Sequence, residues 1–146
     1  MALSVKADGV WNQAKRVQVK VSGAWVNGKE VWAKNAGVWK RIWQYFTAAL
    51  NAPDYYGEAQ WFGGPNANAI LTATVIVTGG QTPISYVWSH TGTPTTVSGQ
   101  GTSSYTLRLT SKNDNRSGTL KCVVTDASGS VIDTGSVPWN LVVDGA

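Results

Sequence analysis

A fourteen-residue repeat at the start of the chain constrains its fold more than any other feature. Lys6, Lys20 and Lys34 are fourteen positions apart, and so are Gly9, Gly23 and Gly37, and Trp11, Trp25 and Trp39. The shared pattern is apolar-Lys-x-x-Gly-apolar-Trp. A period this short cannot contain a helical repeat unit. It has room for one hairpin, with two strands of about five residues and two tight turns. Residues 1–46 therefore read as a six-stranded antiparallel β-meander of three repeats.

The turns can be placed from residue type. Asp8-Gly9, Ser22-Gly23 and Ala36-Gly37 fall at the repeated glycine. Asn27-Gly28 is the strongest hairpin signal, because both residues tolerate positive φ, and Gln13-Ala14 is its weaker counterpart. Two-residue turns put Lys6 across from Trp11, Lys20 from Trp25 and Lys34 from Trp39. Across the following turns, Trp11 would face Arg16 and Trp25 would face Glu30.

One face of such a meander is basic and aromatic, carrying Lys6, Trp11, Lys20, Trp25, Trp32, Lys34, Trp39 and Trp43. The other is aliphatic, carrying Val5, Val10, Val17, Val19, Val21, Val26, Val31 and Val38. Each Lys–Trp pair contributes about 0.5–1 kcal/mol at an exposed site. The lysine stems also shield the indoles from water. A single small sheet cannot bury its own aliphatic face. That face must meet copies of itself, another domain or a larger partner, so the segment reads as a docking or oligomerising module. A basic aromatic platform also suits single-stranded nucleic acid, but the repeat accounts for these residues without such a partner.

Charge separates the two parts of the chain. Residues 1–47 carry eight Lys and Arg against two acids, a net +6, whereas residues 48–146 carry four against six, a net −2. Opposite charge suggests separate jobs and suits an acidic partner for the first part. Only 14% of residues are charged, which argues against a disordered chain. No apolar run approaches the span of about 20 residues needed to cross a membrane. The opening residues MALSVKADGVW lack the apolar core of a signal peptide. Cys122 is the only cysteine, which fits folding in a reducing compartment without a disulfide.

Residues 47–60 break the pattern with Pro53 and Gly57 and read as a linker passing into a first strand. Residues 61–146 then show short runs with period-two alternation: 69–78, 84–90, 104–110, 118–126 and 131–143, the last broken by Gly135 and Pro138. Turn residues separate them. Short alternating strands at this density predict a β-sandwich.

These runs resemble an immunoglobulin-like domain. AILTATVIVTGGQTPISYVWS is similar to strands B and C, with Trp88 in the place of the core tryptophan. SYTLRLTS resembles strand E, and NDNRSGTLKCVVTDASG resembles the corner and strand F. The resemblance implies core positions for Trp88, Leu120 and Cys122. Leu120 stands where that family usually has the corner tyrosine. The strand-B partner of Cys122 falls near Ala73 or Val75, so the family's disulfide is missing. The tandem V-K-x-x-G-x-W units, closed by WKRIW, resemble repeats in tail-fibre and minor tail proteins of bacteriophages.

Little points to catalysis. His90 is the only histidine, in a loop-like context, and no cysteine or second histidine offers metal-ligand spacing. The carboxylates are scattered through turns, where Asp hydrogen-bonds backbone. Gly99-Gln100-Gly101 lacks the Lys-Ser/Thr of a phosphate loop. Tyr55-Tyr56 with Trp61-Phe62 is an aromatic cluster that could stack on sugar or serve packing, and Trp139 has the same two readings.

The expectation is an all-β, non-enzymatic, cofactor-free structural protein of a bacteriophage virion. It would be assembled in the bacterial cytoplasm, be multi-copy and tail-associated, and partner other tail proteins and host-surface glycans. A capsid decoration protein and a free carbohydrate-binding module remain open alternatives.

Overall fold

The computed structural model describes residues 4–7, 10–13, 17–28, 30–62 and 67–145. The fold is all-β, with no helix among the described residues, and therefore none long and apolar enough to cross a membrane. The strands are β1 (Ser4–Ala7), β2 (Val10–Gln13), β3 (Gln18–Val21), β4 (Ala24–Asn27), β5 (Glu30–Asn35), β6 (Val38–Gln44), β7 (Phe46–Leu50) and β8 (Tyr55–Trp61). They continue as β9 (Ala69–Gly79), β10 (Ser85–His90), β11 (Thr96–Ser98), β12 (Ser104–Leu109), β13 (Asp114–Thr125), β14 (Val131–Asp133) and β15 (Val137–Gly145). Two compact units divide the chain: residues 1–47 with 77–84 and 126–130, and residues 48–76 with 85–125 and 131–146.

In the first unit, β1–β2, β3–β4 and β5–β6 form three separate two-stranded antiparallel sheets. Lys6 pairs with Trp11, Lys20 with Trp25 and Lys34 with Trp39. Ser22-Gly23 and Ala36-Gly37 both have positive φ at the two central positions, at 50° and 88° and at 47° and 83°. This is the turn whose twist matches that of its flanking strands.

Three expectations change here. Among the described strands, no ladder joins one hairpin to the next, so a continuous six-stranded meander is not what these residues form. Asn27-Gly28 is not a tight turn. Its amide instead extends the β3–β4 ladder, Gly28 N donating to Val17 O at 2.7 Å; Trp25 pairs with Lys20 as expected, but among the described strands no ladder also pairs it with Glu30. The expected Trp11–Arg16 pair involves Arg16, which lies outside the described residues, as do Asp8-Gly9 and Ala14. A register shift between Val31 and Trp32 is the third change. Trp32 stands across from Arg41 but Val31 stands across from Trp43. The extra residue of such a bulge flips everything beyond it, so Trp43 is in register with a valine of the aliphatic set rather than with the basic, aromatic one.

The second unit is built on two sheets. One has the order β11–β12–β9–β7; the other runs β10–β13–β15–β8, with β14 also on β13. Residues 47–60, expected to be a linker passing into a first strand, hold most of two strands, β7 and β8. β8 is hard to delimit in the sequence because Gly57 and Ala59 on its inward side are small. Gly57 is buried, and a Cβ there would lie 2.6 Å from Ile70 O on the other sheet and 2.7 Å from a Leu141 methyl.

The inner faces of the two sheets meet in an apolar core. Ala69, Leu71, Ala73 and Val75 on β9 alternate inward, as do Tyr105, Leu107 and Leu109 on β12. Leu120, Cys122 and Val124 of β13 and Trp139, Leu141 and Val143 of β15 close it from the other side. The period of two along each strand is what one buried sheet face requires. Trp88 of β10 stacks on Tyr105 of β12, with ring centroids 5.3 Å apart and planes 9° from parallel. Its indole N–H donates to Thr102 O at 2.8 Å, so the buried ring leaves no polar atom unpaired.

Candidate functional site

The hairpins present the first candidate surface. Trp25 is 66% exposed and Trp39 62%, and the lysines paired with them, Lys20 and Lys34, are exposed as well. Trp32 is exposed too, its indole N–H donating to Glu30 Oε2 at 2.6 Å. The aliphatic set fares no better: Val38 is 59% exposed and Val21 54%, while Val17 and Val31 are only half-buried. No described side chain of residues 17–50 is fully buried. The side chains of Val5, Lys6, Val10, Trp11, Val19, Val26 and Trp43 lie outside the described part of the structure. The described residues thus present apolar groups on either side of a strand pair, which cannot exclude water by itself.

Trp88, Leu120 and Cys122, singled out in the sequence, come together in the core; Trp88 and Cys122 are direct neighbours across β10 and β13. Burial pushes the Cys122 thiol up to about 11, which leaves it protonated and unreactive at neutral pH. His90 is tied into the same region, its Nδ1 standing 3.0 Å from the Tyr105 hydroxyl. Trp139 serves packing. It is 1% exposed, and its N–H donates to Thr91 O at 3.1 Å. Trp61 is half-buried beneath Lys112, whose Nζ lies 3.4 Å from the ring centroid.

The glycine-flanked Gln100 also has a structural task. Its Oε1 accepts from Trp88 N and its Nε2 donates to Trp88 O, both at 2.8 Å. The side chain thereby imitates a neighbouring strand on the edge of β10, protecting it from unwanted pairing. Asp126 locks a turn in the first unit. Its Oδ1 accepts from Ser128 N, Ser128 Oγ and Ser130 N, and its Oδ2 from Gln81 N. Burial raises its pKa, but these donors outweigh burial and hold the carboxyl below its ordinary value.

A second candidate surface was not legible as a unit. A cleft of about 500 Å³ opens where β8 begins, within the range of small-molecule sites. The ladder sets its outer wall. Asn140 of β15 pairs in parallel with Tyr56 of β8 and antiparallel with Ser117 of β13. Directly paired residues share a face, so Tyr56, Asn140 and Ser117 form one row across three strands. Pro138 and Thr119 form the next row, and Asp54 flanks them ahead of β8. Trp139 and Gly118 reach the cleft from beneath. A Cβ on Gly118 would lie 2.2 Å from Thr91 O, so only glycine lets the chain approach there.

The Tyr56 ring is 61% exposed, and its hydroxyl donates to Glu58 Oε2 at 2.9 Å. That hydrogen bond is the main reason the phenol's pKa is raised. Asn140 Oδ1 is shielded from solvent and accepts no hydrogen bond. Among the described residues, no group of three His, Cys, Asp or Glu side chains could hold a metal ion. No protein-family profile matches the chain, and no curated protein matches it.

Proposed function

We propose that the chain is a structural, non-enzymatic virion protein of a bacteriophage, tail-associated and multi-copy. In this reading it docks through residues 1–46 and displays an immunoglobulin-like sandwich that aids attachment to host-surface glycans. The observation that carries the docking half is the exposure of Trp25, Trp39, Val21 and Val38 on isolated hairpins. Patches of this kind on a soluble protein mark an interaction surface. The partner is acidic on its polar side, matching the +6 charge of residues 1–47, and apolar where the valines meet it.

The sandwich half is supported by strand order. The sheet β7–β9–β12–β11 parallels strands A, B, E and D of an immunoglobulin-like domain, and β15–β13–β10 parallels G, F and C. The phage assignment rests on the resemblance of the tandem V-K-x-x-G-x-W units to tail proteins, together with their pairing to such a sandwich.

Two measurements test the proposal. Light scattering of the isolated protein should give a mass well above the 15.6 kDa of one chain. The double variant Trp25→Glu, Trp39→Glu should return it towards monomer. A monodisperse wild-type monomer would remove self-association as the means of covering the hairpins. Immunogold labelling of purified particles should mark tails; label confined to heads would make it a decoration protein, and no label would end the virion reading.

A further inference from the structure

We propose that the cleft at the start of β8 is a binding site for a neutral saccharide. The inference deepens the surface-attachment half of the function proposed above and rests on it. It uses only residues of the second unit.

Three features select the ligand class. First, the lining mixes an exposed tyrosine ring with hydroxyl, amide and carboxylate groups: Tyr56 beside Ser117, Thr119, Asn140 and Asp54. A pyranose presents the same mixture, an apolar C–H face edged by hydroxyls that both donate and accept. The ring can stack on Tyr56 while its edge meets the polar row. Second, the charge is wrong for an anion. Neither Lys nor Arg lines the cleft, Asp54 does, and Glu58 and Asp144 act electrostatically on the Tyr56 phenol. A phosphate, sulfate or sialic acid would be repelled.

Third, the shielded Asn140 oxygen lacks a donor. Such groups are rare in folded proteins and each calls for an explanation. Asn140 sits between Tyr56 and Ser117, so turning its amide out towards that row would let a ligand hydroxyl supply the missing hydrogen bond. The row is held on three paired strands rather than on a loop, so its spacing is fixed before any ligand arrives.

The test is a titration of the full-length protein, followed through backbone amide chemical shifts. The probes are maltotriose, cellotriose, chitotriose and mannotriose, with sialyllactose as the anionic control. At least one neutral trisaccharide should bind with a dissociation constant of about 1 mM or tighter. The shifts should centre on Tyr56, Ser117, Thr119 and Asn140. Tyr56→Ala and Asn140→Ala should each weaken binding about tenfold while leaving the remaining spectrum in place. Three results would overturn the proposal: no response to any neutral probe, binding indifferent to both substitutions, or sialyllactose binding as well as the neutral sugars. Because no particle is involved, the titration can fail while tail labelling succeeds, or succeed while tail labelling fails.

Discussion

Trp25 and Trp139 occupy strands of the same kind, yet one is 66% exposed and the other 1%. The hairpins and the two-sheet unit differ in what lies above and below each strand. In the second unit every inward residue of β9, β12, β13 and β15 meets an opposing sheet, so each buried side chain gains both transfer energy and packing. In β3–β4 and β5–β6, the turn and the ladder are well specified, but no described side chain is fully buried. Strand pairing and burial are thus separate achievements. A chain can encode the first locally and leave the second to a partner.

The sharpest way to break this contrast is to truncate one tryptophan in each region. Trp139→Ala should lower stability by about 3–5 kcal/mol, because the indole fills a core site and its N–H is satisfied there. Urea denaturation followed by far-ultraviolet circular dichroism would measure it. A cost under 1 kcal/mol would show that the core is not what holds the second unit.

Asp126→Ala should cost about 2–3 kcal/mol at neutral pH, since four donors lose a charged acceptor. The folded carboxyl lies below its ordinary value, so its contribution is complete above that ordinary value and disappears as the pH falls through the lower, folded one. Thermal melts of wild type and Asp126→Ala should therefore differ at pH 7 and converge as the solution is acidified below about pH 4. A gap that widens on acidification would contradict the hydrogen-bonded carboxylate.

Gln100→Ala should cost about 1–2 kcal/mol by stranding the Trp88 amide and carbonyl at a sheet edge. Amide hydrogen exchange at Trp88 should accelerate, and unchanged exchange would dismiss the strand-mimic role. In the hairpins the signs reverse. Ala36 adopts φ 47°, a conformation that glycine reaches more easily, so Ala36→Gly should stabilise β5–β6 by up to about 1 kcal/mol. Slower amide exchange along Lys34 and Trp39 would report it.

The smallest effect should be Trp25→Ala, within about 0.5 kcal/mol of wild type in the unfolding of the dispersed protein. Its consequence should appear in association instead, as a lower mass by light scattering. A large loss of stability in dispersed protein would mean that the Trp25 ring is already covered.

Much of this was legible in the residues. The Lys–Trp pairs follow from two-residue turns, because turn length fixes register. The runs 69–78, 84–90 and 104–110 follow from alternation and match β9, β10 and β12 to within a residue or so at each end. The first strand expected within 47–60 could not be delimited, because Gly57 and Ala59 on the inward side of β8 look like turn and spacer rather than core. β11 is three exposed residues and carries no burial pattern to detect. The cleft at the start of β8 was half visible: Tyr56 was a candidate aromatic, whereas Asn140 and Ser117 lie far away in sequence and nothing in their identity marks them.

The sequence alone determined what local rules can reach: strand class, the hairpin registers around Ser22-Gly23 and Ala36-Gly37, and the alternation that feeds the core. Tertiary structure decided what depends on distant backbone. Ile70 and Leu141 crowd Gly57 until no side chain fits there. A bulge at Val31 changes the partner of Trp43, and a parallel ladder brings Tyr56 beside Asn140. The physical reason is that turn geometry and side-chain alternation act over a few residues. Pairing across a sheet is settled only when the competing strands are all in place.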